Sequence, residues 1–240
     1  MLHKTRGIVL HSVKYSETSL IVKTYTEAFG IQSYMVKGVR SHRSKMRPIL
    51  FQPLTLLDMV VYRKERASLQ SIREVRLAHP YQSVPFDIRK SSIALFINEV
   101  VYRAVGEEEP NPALFEFLWS SCLLLDAVGE PFTHFHLLFT VKLTKYLGFN
   151  PRNTRSDEHC YFNLSEGTFQ PVFLEGICLD RRQSEMWCRL LDWPFEKPAI
   201  PGLHAGDRDF LLDTLLQYYR FHLPGFSGFR SAEVLHSVLA

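Results

Sequence analysis

The stretch GIVLHSVKYSETSLIVKTYTEAFGIQSYMVKGV, residues 7–39, decides the fold. Apolar and polar residues alternate through 7–15, 19–26 and 31–39, the period-two pattern of strands with one buried face. Phe29-Gly30 supplies a short reversal between the second and third. Two later segments repeat the pattern, PLTLLDMVVYRK (53–64) and ASLQSIREVRL (67–77), with Arg63-Lys64-Glu65-Arg66 as the reversal between them. Five short strands with one long irregular connection at 40–52 predict a small closed barrel of the OB-fold kind.

Pro80 and Pro85 mark a boundary, beyond which the period changes to 3.6. RKSSIALFINEVVYRAV (89–105) carries an apolar face through Ile93, Phe96, Ile97, Val100 and Val101, with Ser91 or Ser92 as its N-cap. NPALFEFLWSSCLLLDAV (111–128) opens on Asn111 as cap with Pro112 at the first turn. PFTHFHLLFTVKLTKYLGF (131–149) stops at Gly148. Further helices are expected at 181–193, 207–223 and 230–239. The less regular segment 150–180 reads as a small hairpin around Tyr161-Phe162-Asn163 and Phe169. The expected class is α+β: an OB-fold nucleic-acid-binding domain over 1–79, then an α-helical domain over 80–240.

Charge divides along the same line. Residues 1–79 hold 14 Lys/Arg against 5 Asp/Glu, whereas 80–240 hold 14 against 20. The cations concentrate in MVKGVRSHRSKMRP (35–48), where Lys37, Arg40, Arg43, Lys45 and Arg47 stand with His42 and no acidic residue. Such a run can be a solvated loop, a targeting signal or a nucleic-acid contact, since clustered cations displace the counterions of a phosphate backbone. Lys14, Lys23, Arg63, Lys64, Arg66, Arg73 and Arg76 make the whole module basic and favour the third reading. Tyr15, Tyr25, Tyr34, Phe51 and Tyr62 are the aromatic candidates for base stacking, and Gly38 suits a turn with positive φ.

Other chemistry is missing from the sequence. It has no P-loop, G-x-S-x-G, H-E-x-x-H or dinucleotide fingerprint, so no catalytic residue and no cofactor is expected. Cys122, Cys160, Cys178 and Cys188 lack the paired spacing of a zinc site and read as free thiols. On a helix His134 and His136 point to opposite sides, with His134 expected on the surface. No apolar run reaches membrane-spanning length, and the N-terminus lacks a secretory signal; the expected location is cytoplasmic, associated with the nucleoid.

Several of these elements resemble the bacterial recombination mediator family RecO. The first two strands with Glu17, Thr26 and Gly30 are similar to its N-terminal signature. VKGVRSHRS (36–44), Gln52-Pro53 and the Leu69–Glu74 segment continue the likeness, and Phe139, Leu143, Leu147, Gly148 and Phe149 match its central helix. The resemblance implies binding of single- and double-stranded DNA and annealing of complementary strands. It also implies work with RecR and single-strand-binding protein (SSB) to load RecA. On this sequence the phosphate contacts would be Lys37, Arg40, Arg43, Lys45, Arg47, Arg63 and Lys64. The acidic, Phe-ending SSB tail would meet Phe139, Lys142 and Lys145. Many members carry two C-x-x-C pairs after the central helix; here only Cys160 and Cys178 remain, so a metal-free hairpin packed by Phe162, Phe169 and Phe173 is expected. The alternatives are a protein-interaction scaffold and a general RNA-binding OB protein.

Overall fold

The computed structural model describes residues 1–39, 46–64, 67–106, 109–226 and 228–239. Its element order is β1 (Leu2–Lys14), β2 (Leu20–Thr26), β3 (Gly30–Val36), β4 (Leu56–Tyr62), β5 (Gln70–Leu77), α1 (Ile88–Ala104), α2 (Pro112–Ala127), α3 (Phe135–Leu147), β6 (Tyr161–Asn163), β7 (Thr168–Gln170), α4 (Arg181–Asp192), α5 (Ala205–His222) and α6 (Ser231–Leu239). Packing sorts the chain into two compact units, Met1–Pro85 with Val101–Asp126, and Phe86–Val100 with Ala127–Ala240.

In the first unit the five strands close in the order β1-β2-β3-β5-β4. All pairs are antiparallel except β3 with β5, which is the OB-fold arrangement. β1 is the long strand that serves both β2 and β4, and a register shift between Val9 and His11 bends it. Following the pairing from Leu2 through Tyr62, Ser71, Met35 and Ile21 returns to β1 at Val13, the stagger that barrel closure demands. Inside lie Val9, Val22, Tyr34, Val36, Phe51, Leu57, Met59 and Val61. Gly7 takes an inward position where no side chain fits. A Cβ there would stand 2.4 Å from the Met59 methyl and 2.7 Å from the Thr24 methyl.

β1 starts five residues before the expected 7–15, because HKTR (3–6) hides its alternation behind polar side chains on both faces. β4 starts after Leu54, whose φ of 59° belongs to a turn.

Within the same unit α2 lies against the barrel wall. Asn111 caps it as expected, its Oδ1 accepting from Leu114 N at 3.0 Å. Near its C-terminal end, Asp126 accepts the backbone N–H groups of Gln82, Ser83 and Val84 and faces His79. Burial alone would raise this carboxyl, but those donors outweigh it and hold it well below the usual carboxylate range.

In the second unit α3 is central and buried from Phe135 to Val141, as a helix apolar on nearly every side must be. It ends at Gly148, φ 86°, in the expected left-handed cap. The cap of α1 is Asp87, whose Oδ1 accepts from Arg89 N at 2.8 Å. This replaces the expected Ser91 or Ser92; the Ser92 hydroxyl donates to Ile88 O inside the helix. The hairpin β6–β7 pairs Phe162 with Phe169, rings 5.1 Å apart. Phe173 instead lies partly exposed against Tyr161.

His134 is buried, not on the surface as expected. It precedes the first turn of α3, so a helical wheel misplaces it. Its backbone N–H donates to Pro198 O, and its Nδ1 accepts from Ile200 N at 2.9 Å. Burial, with Arg208 and Arg189 nearby, pushes it down to about 4. His136 is fully buried edge-on to Phe96 and is pushed down further.

Two expectations follow. Gly7→Val should destabilise the first unit by about 1–3 kcal/mol through overpacking, read from the denaturant midpoint. Unfolding frees His134 to take up a proton below its ordinary value of about 6.5. Its contribution to stability is therefore complete above that pH and declines as pH falls toward 4. His134→Asn keeps an acceptor for Ile200 N but does not titrate, so its stability should fall less steeply over that window. Identical slopes would refute this account.

Candidate nucleic-acid interface

The barrel wall has two outward apolar rows, and they differ in what covers them. In one row Tyr25, Ile8 and Leu56 stand opposite one another in register. All three are at most 1% exposed, and Tyr25 lies 6.1 Å from Phe115 of α2. The Arg6 guanidinium extends this seal, lying over the rings of Phe115 and Trp119 while paired with Glu27 and Glu116.

The other row runs Val13, Ile21, Met35, Ser71, Tyr62, each opposite the next. Val13 is 42% and Tyr62 44% exposed, and Ile21 and Met35 are half-buried. Its exposure is greatest at its two ends, Val13 and Tyr62. β1, β2 and β3 contain no Asp or Glu at all; the acidic strand residues, Asp58 and Glu74, lie on β4 and β5.

Cations border this open row on both sides. Lys37 follows β3 two residues past Met35, exposed, with Gly38 at φ 67° turning the chain as expected. Lys14 follows Val13 on the same side. On the opposite side, Lys23 sits two residues past Ile21, and Arg63 and Lys64 follow Tyr62. Arg63 is anchored at its backbone, exchanging hydrogen bonds with Met1 in both directions at 2.9 Å. Its guanidinium lies 4.5 Å above the Phe29 ring. Lys64 is held by the buried Gln70 side chain, which accepts from Lys64 N and donates to Lys64 O, both at 2.9 Å. Among the described residues no carboxylate pairs with Lys37, Arg63 or Lys64.

The other residues expected at a nucleic-acid contact divide plainly. Arg47 is exposed ahead of the 3-10 turn Pro48–Phe51, outside any strand register. Arg40, Arg43 and Lys45, with Arg66, lie outside the described residues. Of the five aromatics, Tyr25, Tyr34 and Phe51 are buried, and only Tyr15 and Tyr62 are exposed. The charge pattern missed a sixth, Tyr102 of α1. Its ring packs 5.2 Å from His11 and takes the Lys23 ammonium at 4.9 Å. His11 and Lys23 face each other in the row beside Val13 and Ile21.

A cleft of about 760 Å³ opens elsewhere on the barrel, lined by Lys4, Arg6, Glu27, Asp58, Arg73 and Arg76 among others. Its arginines face carboxylates: Arg6 with Glu27 and Glu116, Arg73 with Glu74, Arg76 with Asp58. Arg6 holds the Glu27 carboxyl below its usual range against the opposing effect of burial. This is a mixed-charge surface, less suited to a polyanion.

The second unit separates the three residues expected at a protein tail. Phe139 is fully buried in the core. Lys142 donates to Leu191 O at 2.7 Å, so it satisfies a carbonyl in the last turn of α4. Desolvation lowers its proton affinity, opposed by Asp192 and Glu196. Lys145 is exposed. Cys160 and Cys178 are buried free thiols, and among the described residues no three His, Cys, Asp or Glu side chains group as metal ligands. Nor is any described helix long and apolar enough to cross a membrane.

An OB-type barrel with one sealed and one open, cation-bordered wall, followed by helices, is the class this geometry defines. The chain belongs to the recombination protein O family: the family's N-terminal model matches residues 1–81 and its C-terminal model residues 85–230. It is similar to proteins named DNA repair protein RecO. The one from Flavobacterium psychrophilum is 37% identical over 238 residues, 99% of each chain. That from Bacteroides fragilis is 37% identical over 98% of each, and that from Phocaeicola vulgatus 34% over the full length of both.

Lys142→Met should leave the Leu191 carbonyl without its donor and cost about 1 kcal/mol. Chemical denaturation reads this; an unchanged midpoint would show the contact to be dispensable.

Proposed function

We propose that this protein is a non-enzymatic mediator of recombinational DNA repair, which binds DNA through the open barrel wall and anneals complementary strands. What supports this reading is the wall itself: cations on both borders, and no carboxylate on β1, β2 and β3, the strands that carry Val13, Ile21 and Met35. Lys37, Arg63 and Lys64 are the phosphate contacts, joined by Arg47, and by Arg40, Arg43 and Lys45 on the sequence reading alone. The mechanism is electrostatic, not covalent. Two polyanions that repel each other can approach once the wall replaces their counterions.

The relatives' printed role in DNA repair and membership of the recombination protein O family support placing the activity there. In this reading the helical part serves protein partners: the acidic C-terminal tail of SSB near the C-terminal turn of α3, with Lys145 as its exposed cation, and RecR. Together they help to load the recombinase on single strands.

The test is annealing of SSB-coated complementary strands across a salt series. The protein should accelerate annealing at low salt, and the acceleration should fade as salt rises. The triple variant Lys37→Glu, Arg63→Glu, Lys64→Glu should bind single strands about 10-fold or more weakly at low salt. The slope of log affinity against log salt should become shallower by about 2, given about 0.7 per lost phosphate contact. Wild-type protein that neither binds nor anneals DNA at low salt would sink the proposal.

A further inference from the structure

We infer that the buried start of α3 holds a small monovalent anion of the halide class, bound by backbone N–H groups, the His134 imidazole and the Arg208 guanidinium. The inference is independent of the DNA-binding reading, and all of its residues belong to the second unit.

A helix leaves its first N–H groups without partners of its own, and its dipole puts positive charge at that end. The other helices of this protein meet that demand with acceptor side chains: Asp87 at α1, Asn111 at α2, Asp180 at α4, Asp207 at α5 and Glu99 at α6. α3 has no side-chain cap and no acidic residue in its first turn. Phe132 O accepts from Phe135 N, and His134 O from Leu138 N. The N–H groups of His136 and Leu137, between them, have no acceptor among the described residues. Both residues are at most 1% exposed, so bulk water does not reach these donors, and leaving them unmet is costly.

His134 adds a third donor. Its Nδ1 accepts from Ile200 N, which puts the ring proton on Nε2. That Nε2 is buried without a partner, as is Nδ1 of His136. Arg208, near the start of α5, is only 6% exposed. Its guanidinium donates to Leu239 O, and among the described residues no carboxylate pairs with it. The acids beside it in the chain are engaged elsewhere. Asp207 faces His204 N and Arg182, while Asp209 and Asp213 face His236. Burial first, with Arg208 among the charges that add to it, holds both imidazoles down, which places the guanidinium near them.

Donors without acceptors, beside a buried cation without a counter-ion, define a seat for an anion. A water molecule would satisfy a donor but brings no charge for Arg208. Burial also decides the kind of anion. The cost of desolvation rises with the square of the charge, so a halide enters where a phosphate or sulfate dianion does not. Because Arg208 also holds Leu239 O, the bound ion would brace α3, α5 and α6 together.

Thermal melting of the full chain at constant ionic strength tests this, at about pH 8, where histidine is neutral. Replacing sodium fluoride by sodium chloride should raise Tm by about 2–4 °C, with bromide at least as effective. General salt effects run the other way, since fluoride is the more strongly hydrated ion. Arg208→Met keeps the apolar stem and removes the charge, so the folded variant should lose the chloride advantage. A second measurement needs no variant: wild-type crystals soaked in sodium bromide should show anomalous density within hydrogen-bond distance of His134 Nε2 and Arg208. The inference is overturned by equal melting of wild type in fluoride and chloride, or by a chloride advantage that persists in folded Arg208→Met. Bromide found at surface lysines and arginines alone, an adventitious ion only, overturns it too. None of these results touches the DNA-binding reading, which the annealing assay decides.

Discussion

Everything in the first unit depends on one strand being shared. A five-stranded sheet closes only if some strand hydrogen-bonds along both edges while the register climbs around the wall. β1 does this. Its first half pairs with β4, its second half with β2, and the shift between Val9 and His11 lets it turn between the two directions. The tight curvature brings Met59 and Thr24 so close to β1 that position 7 has no room for a side chain. Closure also fixes which residues meet on the outside. The stagger that returns the pairing path to Val13 instead of Leu2 lines up Tyr62, Ser71, Met35, Ile21 and Val13 from separate places in the chain.

That geometry separates two kinds of charge. On the β1–β4–β5 side, the outward positions alternate in sign, Arg6 and Asp58 with Arg76 beyond, and the ion pairs form within the sheet. Exposed pairs of this kind contribute little stability, on the order of 0–1 kcal/mol each. Their consequence is that this surface presents little net potential. On the β1–β2–β3 side the only charged residues in the strands are cations. Their field extends outward, and at physiological salt it reaches about 8 Å before screening, enough to bridge to a neighbouring backbone.

Much of this was legible in the sequence. The barrel strands, the helices and the charge asymmetry follow from periodicity and counting, because buried faces impose their period directly. The start of β1 did not, since at Lys4 and Arg6 long cationic side chains occupy outward sites and at His3 and Thr5 polar ones occupy inward sites. The burial of His134 was invisible for another reason: its partners, Pro198 and Ile200, lie far along the chain and belong to no periodic element. Lys142 was expected to meet the SSB tail, yet its Nζ completes α4, a role that depends wholly on tertiary packing. For the interface, composition located the cations but not the row between them. Met35 and Ile21 resemble ordinary core residues until the register shows them facing out.

The row's dimensions also bear on what it can hold. Neighbouring strands lie about 4.8 Å apart, so five strands in register offer a ledge on the order of 20 Å along the barrel wall, less after curvature. OB folds engage sites of about four nucleotides and upward, and a ledge of this length suits the lower end of that range. A short footprint bordered by cations has a consequence for annealing. Under the proposed function it would hold a strand at a few bases and leave the flanking bases unpaired and accessible, so that a complementary strand could begin pairing beside the wall before displacing the first from it. A longer or fully enclosed groove would hold the strand more tightly and hide the edges on which pairing depends. Modest size and openness are therefore what the proposed annealing would require, since its strand would have to be released into a duplex.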